Sequence, residues 1–297
     1  MKLRFCCINF WENAFDGDFY EYLLKRSLKC TFDWVDSVHD ADVVFTSVFG
    51  SQYSDPCKTI LISAEHQSPQ LFRCSYSLSF DTDDWLGQNC YCPYWYNRLK
   101  WPGFNKKPHP IEISSHTSYE PQISIDDLLT TRKLDFKLED KQFCAIVASN
   151  PDPLRINLFN LLSTYKEVAG YGNLFSNPWR KPKHDLLNTY KFCLCPENCL
   201  SPGYITEKIF DAWSCSTIPI YYGPSNLQSF NINSNAIINY HDFDSAQEFL
   251  DFIRHVDSSA ITYKSIYEEP LLLSRPSLEE QVKFMNRSIS SIMGKNV

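Results

Sequence analysis

Short, nearly continuous apolar runs recur along this chain, and most are followed by a stretch whose apolar residues repeat at helical spacing. Residues 3–9, 42–48, 58–63 and 76–80 form one such series of runs; 143–148, 168–171, 190–195 and 218–222 form another. A strand with no polar alternation is buried on both faces, and that belongs to a parallel sheet covered by helices. Helical periods lie at 19–28, 154–165, 205–215, 243–256 and 277–293. This alternation predicts an α/β chain built from βα units, and its doubling predicts two Rossmann-like domains facing each other across a cleft.

Between the two series, Pro93, Pro102, Pro108, Pro110 and Pro121 punctuate residues 90–142, and residues 114–118 are polar. We read this stretch as an irregular wall and a crossing. The expected domains are 1–140 and 141–297, with the last helix packing back on the first domain. That helix carries too few cations for a membrane-surface role and is expected to dock on protein. The 297 residues bear a formal charge of −7, which disfavours nucleic acid as the main partner. No apolar run is long enough to span a membrane, and residues 1–10 lack the apolar core of a signal peptide, so a cytoplasmic chain is expected. None of the twelve cysteines forms a CxxC pair, and most are expected to be reduced core residues.

Ligands of open α/β sheets gather beyond the carboxyl ends of the strands. Three loops are thereby selected. The one after residue 195 leads through Glu197, Asn198, Tyr204, Glu207 and Lys208 into a helix expected from Ile205, whose first turn and Lys208 would attract an anion. Glu207 beside such a site would accept hydrogen bonds, for example from ribose hydroxyls; a solvated surface Glu–Lys pair is the alternative. The loop after Ala148 places Arg155 in a helix's first turn, where it either grips phosphate or lies exposed. In the first series Glu65 follows its strand directly and can take a proton from a bound hydroxyl, with His66 as the rival base. Neither GxGxxG nor GxxxxGK[ST] occurs, which disfavours ordinary dinucleotide oxidoreductases and P-loop NTPases. The one Asp-x-Asp, Asp81-Thr82-Asp83, is expected to lie away from the anion site.

Residues 196–224, PENCLSPGYITEKIFDAWSCSTIPIYYGP, resemble the signature of the α-1,3/4-fucosyltransferases, glycosyltransferase family 10. The acidic-Asn pair, the Tyr-Ile-Thr-Glu-Lys core and the Pro-Ile-x-Tyr-Gly strand occur in order. Ala148-Ser149-Asn150-Pro151 with Arg155 is similar to the family's Ser-Asn-Pro turn, and residues 63–68 to its Glu-containing acceptor segment. Asn9-Phe10-Trp11 matches more loosely. Cys199 stands where the family often has Ser, Pro202 stiffens the loop, and heptad repeats, basic tail and anchor segment do not appear in this sequence.

The resemblance implies a GT-B fold, with 1–140 as the acceptor-binding domain and 141–297 as the GDP-fucose-binding domain, and inverting transfer of L-fucose from GDP-β-L-fucose to a glycan hydroxyl, expected at O3 of an N-acetylglucosamine or glucose unit. It implies Glu65 as general base and Arg155 and Lys208 on the diphosphate. Glu207 would contact the ribose, and Asn150, Asn198 and Tyr204 would line the GDP site. No cofactor is then required, and no divalent metal, because the protein supplies the cations. The alternatives are a GT-B transferase with another nucleotide sugar and a non-catalytic glycan-binding protein.

Overall fold

The computed structural model describes residues 2–10, 18–52, 54–105, 121–177 and 182–294. Trp11, Pro108, Pro110, Lys295 and the polar 114–118 run lie outside them. The first sheet holds β1 (Leu3–Ile8), β2 (Phe32–Trp34), β3 (Val43–Thr46), β4 (Thr59–Ile62), β5 (Tyr76–Ser79) and β6 (Asn89–Tyr91), with α1 (Phe19–Ser27) after β1. Its order is β2-β1-β3-β4-β5-β6, and every pairing is parallel. All four residues of β3 and of β4 are buried, which explains the unbroken apolar runs. Asp18 starts α1 by accepting from the N–H groups of Tyr20 and Glu21, and Phe19, Leu23 and Leu24 carry its buried face.

A short helix α2 (Ile125–Leu128) precedes the second sheet. That sheet comprises β7 (Gln142–Val147), β8 (Val168–Tyr171), β9 (Tyr190–Pro196), β10 (Ile218–Tyr222) and β11 (Ile238–Asn239). Its helices are α3 (Pro153–Ser163), α4 (Lys183–Leu187), α5 (Lys208–Ser214), α6 (Ala246–Ser258) and α7 (Ala260–Tyr267). The order is β11-β10-β9-β7-β8, again all parallel. The carboxyl ends of β7, β9 and β10 therefore share one edge.

One hydrophobic core runs from the first sheet into the second, taking in Phe5, Leu23, Trp95, Ile209 and Phe210. Trp95 stacks on Phe210 of α5, with ring centroids 4.5 Å apart. A second core, on the other face of the second sheet, packs α3, α6 and α7 through Leu158, Phe249, Ile253 and Tyr263. The last helix, α8 (Glu279–Met293), crosses back to the first sheet's side. Phe284, Met285 and Ile289 are buried, Asn286 donates to the Ser27 carbonyl at 2.7 Å, and Tyr76 donates to Ser291 at 2.8 Å.

Two expectations change. The helix expected from Ile205 begins at Lys208, because the N–H of Thr206 goes to the Glu197 carboxylate and that of Ile205 to the Gly203 carbonyl. The stretch 90–142 is more regular than its prolines suggested: it contains the end of β6, the helical turn Tyr94–Arg98 and α2.

Candidate donor and acceptor site

Arg155 is the third residue of α3, whose first turn is fixed by Asp152 accepting from Leu154 N–H and by Pro153 at a position needing no donor. The guanidinium is buried, at 5% exposure. It donates to the Asn150 carbonyl at 3.2 Å and to the side-chain oxygen of Asn198, which ties the loop after β7 to the loop after β9. Both partners are neutral, and the Nε–H has no partner among the described residues. A buried cation with only neutral partners carries a large desolvation cost, which an anionic ligand would offset.

Lys208, the first residue of α5, lines the same cavity as Arg155, together with Lys183, Asp211 and the ends of β7 and β9. The cavity holds about 30 Å³, about one water's worth. A nucleoside diphosphate needs roughly ten times that, so most of it would lie over the rim formed by 149–152 and 197–207. The structure thus brings Arg155 and Lys208 to one place, as the sequence reading requires.

Glu197 was singled out only as half of a motif, and it proves to organise the loop. Its side chain has no exposure and accepts from Thr206 N–H at 2.8 Å, from the Thr206 hydroxyl, and from the Lys208 ammonium at 2.5 Å. Lys208 also donates to Thr206 Oγ1 at 2.8 Å. Glu207 sits at the start of α5, partly exposed, with no capping bond of its own. Asn150 is exposed and Asn198 half-buried.

Tyr204 joins this loop to the first sheet. It is 2% exposed, its ring meets Phe80 edge-on at 5.2 Å and His66 at 6.0 Å, and the next-door Gly203 carbonyl accepts from the Tyr91 hydroxyl at 3.3 Å. Burial pushes the Tyr204 hydroxyl far up, and the nearby charges of Glu197, Glu65, Cys199 and Glu207 push the same way. Glu65 is half-buried just beyond β4, its backbone carbonyl held by the Ser63 hydroxyl at 3.1 Å; His66 is exposed. The Asp81–Asp84 run bends on itself instead. Asp81, Asp83 and Asp84 each accept from a backbone N–H two residues on, at 2.9–3.1 Å. Among the described residues no group of three His, Cys, Asp or Glu side chains could hold a metal ion.

Residues 137–269 match the family model "Glycosyltransferase family 10 (fucosyltransferase) C-term". The chain carries a glycosyltransferase family 10 domain. The chain is 31% identical over 258 residues to the α-(1,3)-fucosyltransferase FucT of Helicobacter pylori, covering 78% of its own length and 52% of that protein's. It is 31% identical over 133 residues to the mouse 4-galactosyl-N-acetylglucosaminide 3-α-L-fucosyltransferase 9, of which it covers 37%. The chain therefore spans about half the length, or less, of these relatives. Its fold superposes on an α1,3-fucosyltransferase solved with GDP at a TM-score of 0.74, with 23% identity and coverage of 100% and 91% of the two chains. The same comparison for a structure with GDP-fucose gives 0.71, with 23% identity and coverage of 99% and 90%. An Anabaena protein in complex with UDP and glucose gives 0.51 at 8% identity, with coverage of 98% and 99%. The two parallel sheets are those of a GT-B fold. No helix among the described residues is long and apolar enough to cross a membrane.

Proposed function

We propose that this family 10 chain transfers L-fucose from GDP-β-L-fucose to a sugar hydroxyl of a glycan, with inversion, giving an α-fucoside. The observation that carries the reading is the buried Arg155, held by neutral oxygens and sharing one cavity with Lys208 at the ends of β7 and β9. In the reaction the acceptor oxygen bonds to the anomeric carbon as Glu65 takes its proton. The bond from that carbon to the diphosphate oxygen breaks, and GDP leaves with the bonding electrons. Arg155 and Lys208 face the charge that develops on GDP, an arrangement that commonly lowers a barrier by several kcal/mol. Glu207 receives the ribose, and Asn150, Asn198 and Tyr204 border the nucleotide. The cations do the work often given to a divalent metal, so we expect activity without one.

The preferred acceptor position is O3 of an N-acetylglucosamine or glucose unit, in line with the 3-linkage in the names of the relatives. Twelve free cysteines suit a reducing compartment and hence a cytoplasmic placement. A different nucleotide sugar is the second reading, favoured by the fold likeness to the UDP-complexed protein; a glycan-binding protein without turnover is the third. Titration with GDP and UDP separates the first two. Glu65→Gln decides catalysis: turnover should fall by roughly 10²–10⁴-fold with GDP affinity unchanged. Fucose transfer at the wild-type rate would remove Glu65 as the base. Lys208→Ala should weaken GDP binding.

A further inference from the structure

A second cavity, of about 490 Å³, lies beside the free edge of β11, between that strand and helices α6 and α7. Small-ligand sites have this size. Ile238, Phe243, Phe252 and Ile266 give it an apolar floor, and Asn235, Asp242, Ser265 and Glu269 a polar rim. One oxygen of Glu269 accepts from the Asn233 amide at 3.0 Å. Among the described residues the Asp242 carboxylate and the Asn235 side-chain amide have no hydrogen-bond partner.

Among the described residues no lysine or arginine lines this cavity. Residues 234–269, which supply all of its lining, hold seven carboxylates against two cations, Arg254 and Lys264. Arg254 pairs with Asp251 at 2.8 Å and Lys264 with Glu268 at 3.9 Å, while Asp257 is held by Lys166 and Lys191. Arg132 reaches α7 from outside that stretch. Its guanidinium is taken up by the Tyr267 and Thr217 carbonyls, between the rings of Tyr267 and Trp213. His241 rests on the Gly223 carbonyl at 2.8 Å. The field in the cavity is negative, so it repels a second nucleotide or any other anion.

A neutral molecule with hydroxyl donors and an apolar face fits such a lining. A sugar unit has both: carboxylate and amide oxygens accept from its hydroxyls, and its C–H face packs on the electron-rich faces of aromatic rings. A line of rings in contact leads to the cavity from the donor loop. Tyr222, whose carbonyl accepts from the Glu197 N–H, meets Tyr240 at 4.8 Å. Tyr240 meets Phe249 at 5.1 Å, Phe249 meets Phe243 at 5.5 Å, and Phe243 meets Phe252 at 5.2 Å. β11 is two strands from β9, about 10 Å at the usual spacing.

Resting on the glycan-acceptor reading above, we propose that this groove is a second glycan-binding site, taking neutral sugar units of an acceptor chain beyond the unit at the cleft. A long chain then binds at two points. The second contact acts at a high effective concentration and lowers KM without entering the chemistry.

The test uses six-unit chains of N-acetylglucosamine and of glucose, with the two-unit chains for comparison. Isothermal titration without donor reads the groove directly, and transfer from GDP-fucose reads its effect. Wild type should bind at least one six-unit chain and show for it a KM about tenfold or more below that of the matching two-unit chain. Ser265→Trp, which fills the groove from an exposed position on α7, should erase that difference, and Asp242→Ala should reduce it. In both variants kcat, the KM of the two-unit chain and GDP affinity should stay at wild-type values, which a misfolded chain would not show. A six-unit chain of galacturonate, with a carboxylate on every ring, should not bind. The proposal is overturned if Ser265→Trp keeps the preference for the long chain, or if wild type has none. It is equally overturned if hexalysine, and not the sugar chains, occupies the site lost in Ser265→Trp. Wild type that transfers no fucose to any chain would sink the reading of the cleft, while titration of wild type against Ser265→Trp would still decide the groove.

Discussion

Replacing Glu197 with Gln keeps the shape of the side chain and removes its charge. The carboxylate has no solvent exposure and receives three donor groups, one of them an ammonium. A Gln oxygen can still accept from Thr206 N–H, but its amide N–H₂ must then face the Thr206 hydroxyl and Lys208. Removing one partner of a buried ion pair costs about 3–5 kcal/mol. Lys208 is one-fifth exposed and regains some water, which brings the expected loss to about 2–3 kcal/mol. At roughly 2–4 °C per kcal/mol for a chain of this size, the melting transition should fall by about 5–10 °C. Calorimetry on Glu197→Gln, Lys208→Met and the double variant gives the coupling directly: the double variant should be less destabilised than the two singles combined, by about 1 kcal/mol or more. A Glu197→Gln transition within 1 °C of wild type, or additive singles, would refute the view that this pair holds the loop.

Two further outcomes are expected. Gly203 has φ +79° and an added Cβ would sit 2.3 Å from the Phe80 carbonyl, so Gly203→Ala should lower the melting temperature by several degrees and weaken GDP binding; unchanged stability would mean the two sheets are not in contact there. Burial pushes Lys141 down to about 8, from 10.5, while its ammonium donates to the Ser216 carbonyl at 2.5 Å. Between those two values the unfolded chain binds more protons, so this group makes stability rise with pH from about 8 upward. Wild type should therefore gain stability relative to Lys141→Met between pH 7.5 and 9, in urea titrations at each pH, and a constant difference would count against it.

Much of this was legible because parallel strands announce themselves: a run such as Thr59–Ile62 is apolar on both faces and nothing else explains it. The strand-end rule then led to Glu65, Arg155 and Lys208 without any knowledge of packing. What escaped notice depended on partners distant in sequence. Glu197 looked like a loop residue until Thr206 and Lys208 closed around it, and that closure moved the start of α5 three residues beyond where the apolar spacing of Ile205, Ile209, Ala212 and Trp213 put it. Lys183 and Arg98 are 85 residues apart and both pair with Asp211. The two- and three-residue strands β11 and β2 are too short to show a period. In α7 a signal was present and passed over: Ser259, three residues before Thr262, caps the helix by accepting from its N–H.

The return of α8 to α1 has a consequence for synthesis. Ser27 and Asn286 are bonded across almost the whole polypeptide, so the face of α1 that α8 covers stays bare until the ribosome has passed residue 293. The strands and helices from Gln142 to Tyr267, by contrast, find most of their neighbours on the second sheet or in residues already made, such as Trp95 against Phe210, and contacts as long in sequence as that between Ser27 and Asn286 form late. The half made first is thus the half finished last, and its open apolar flank is where a chaperone would find this chain.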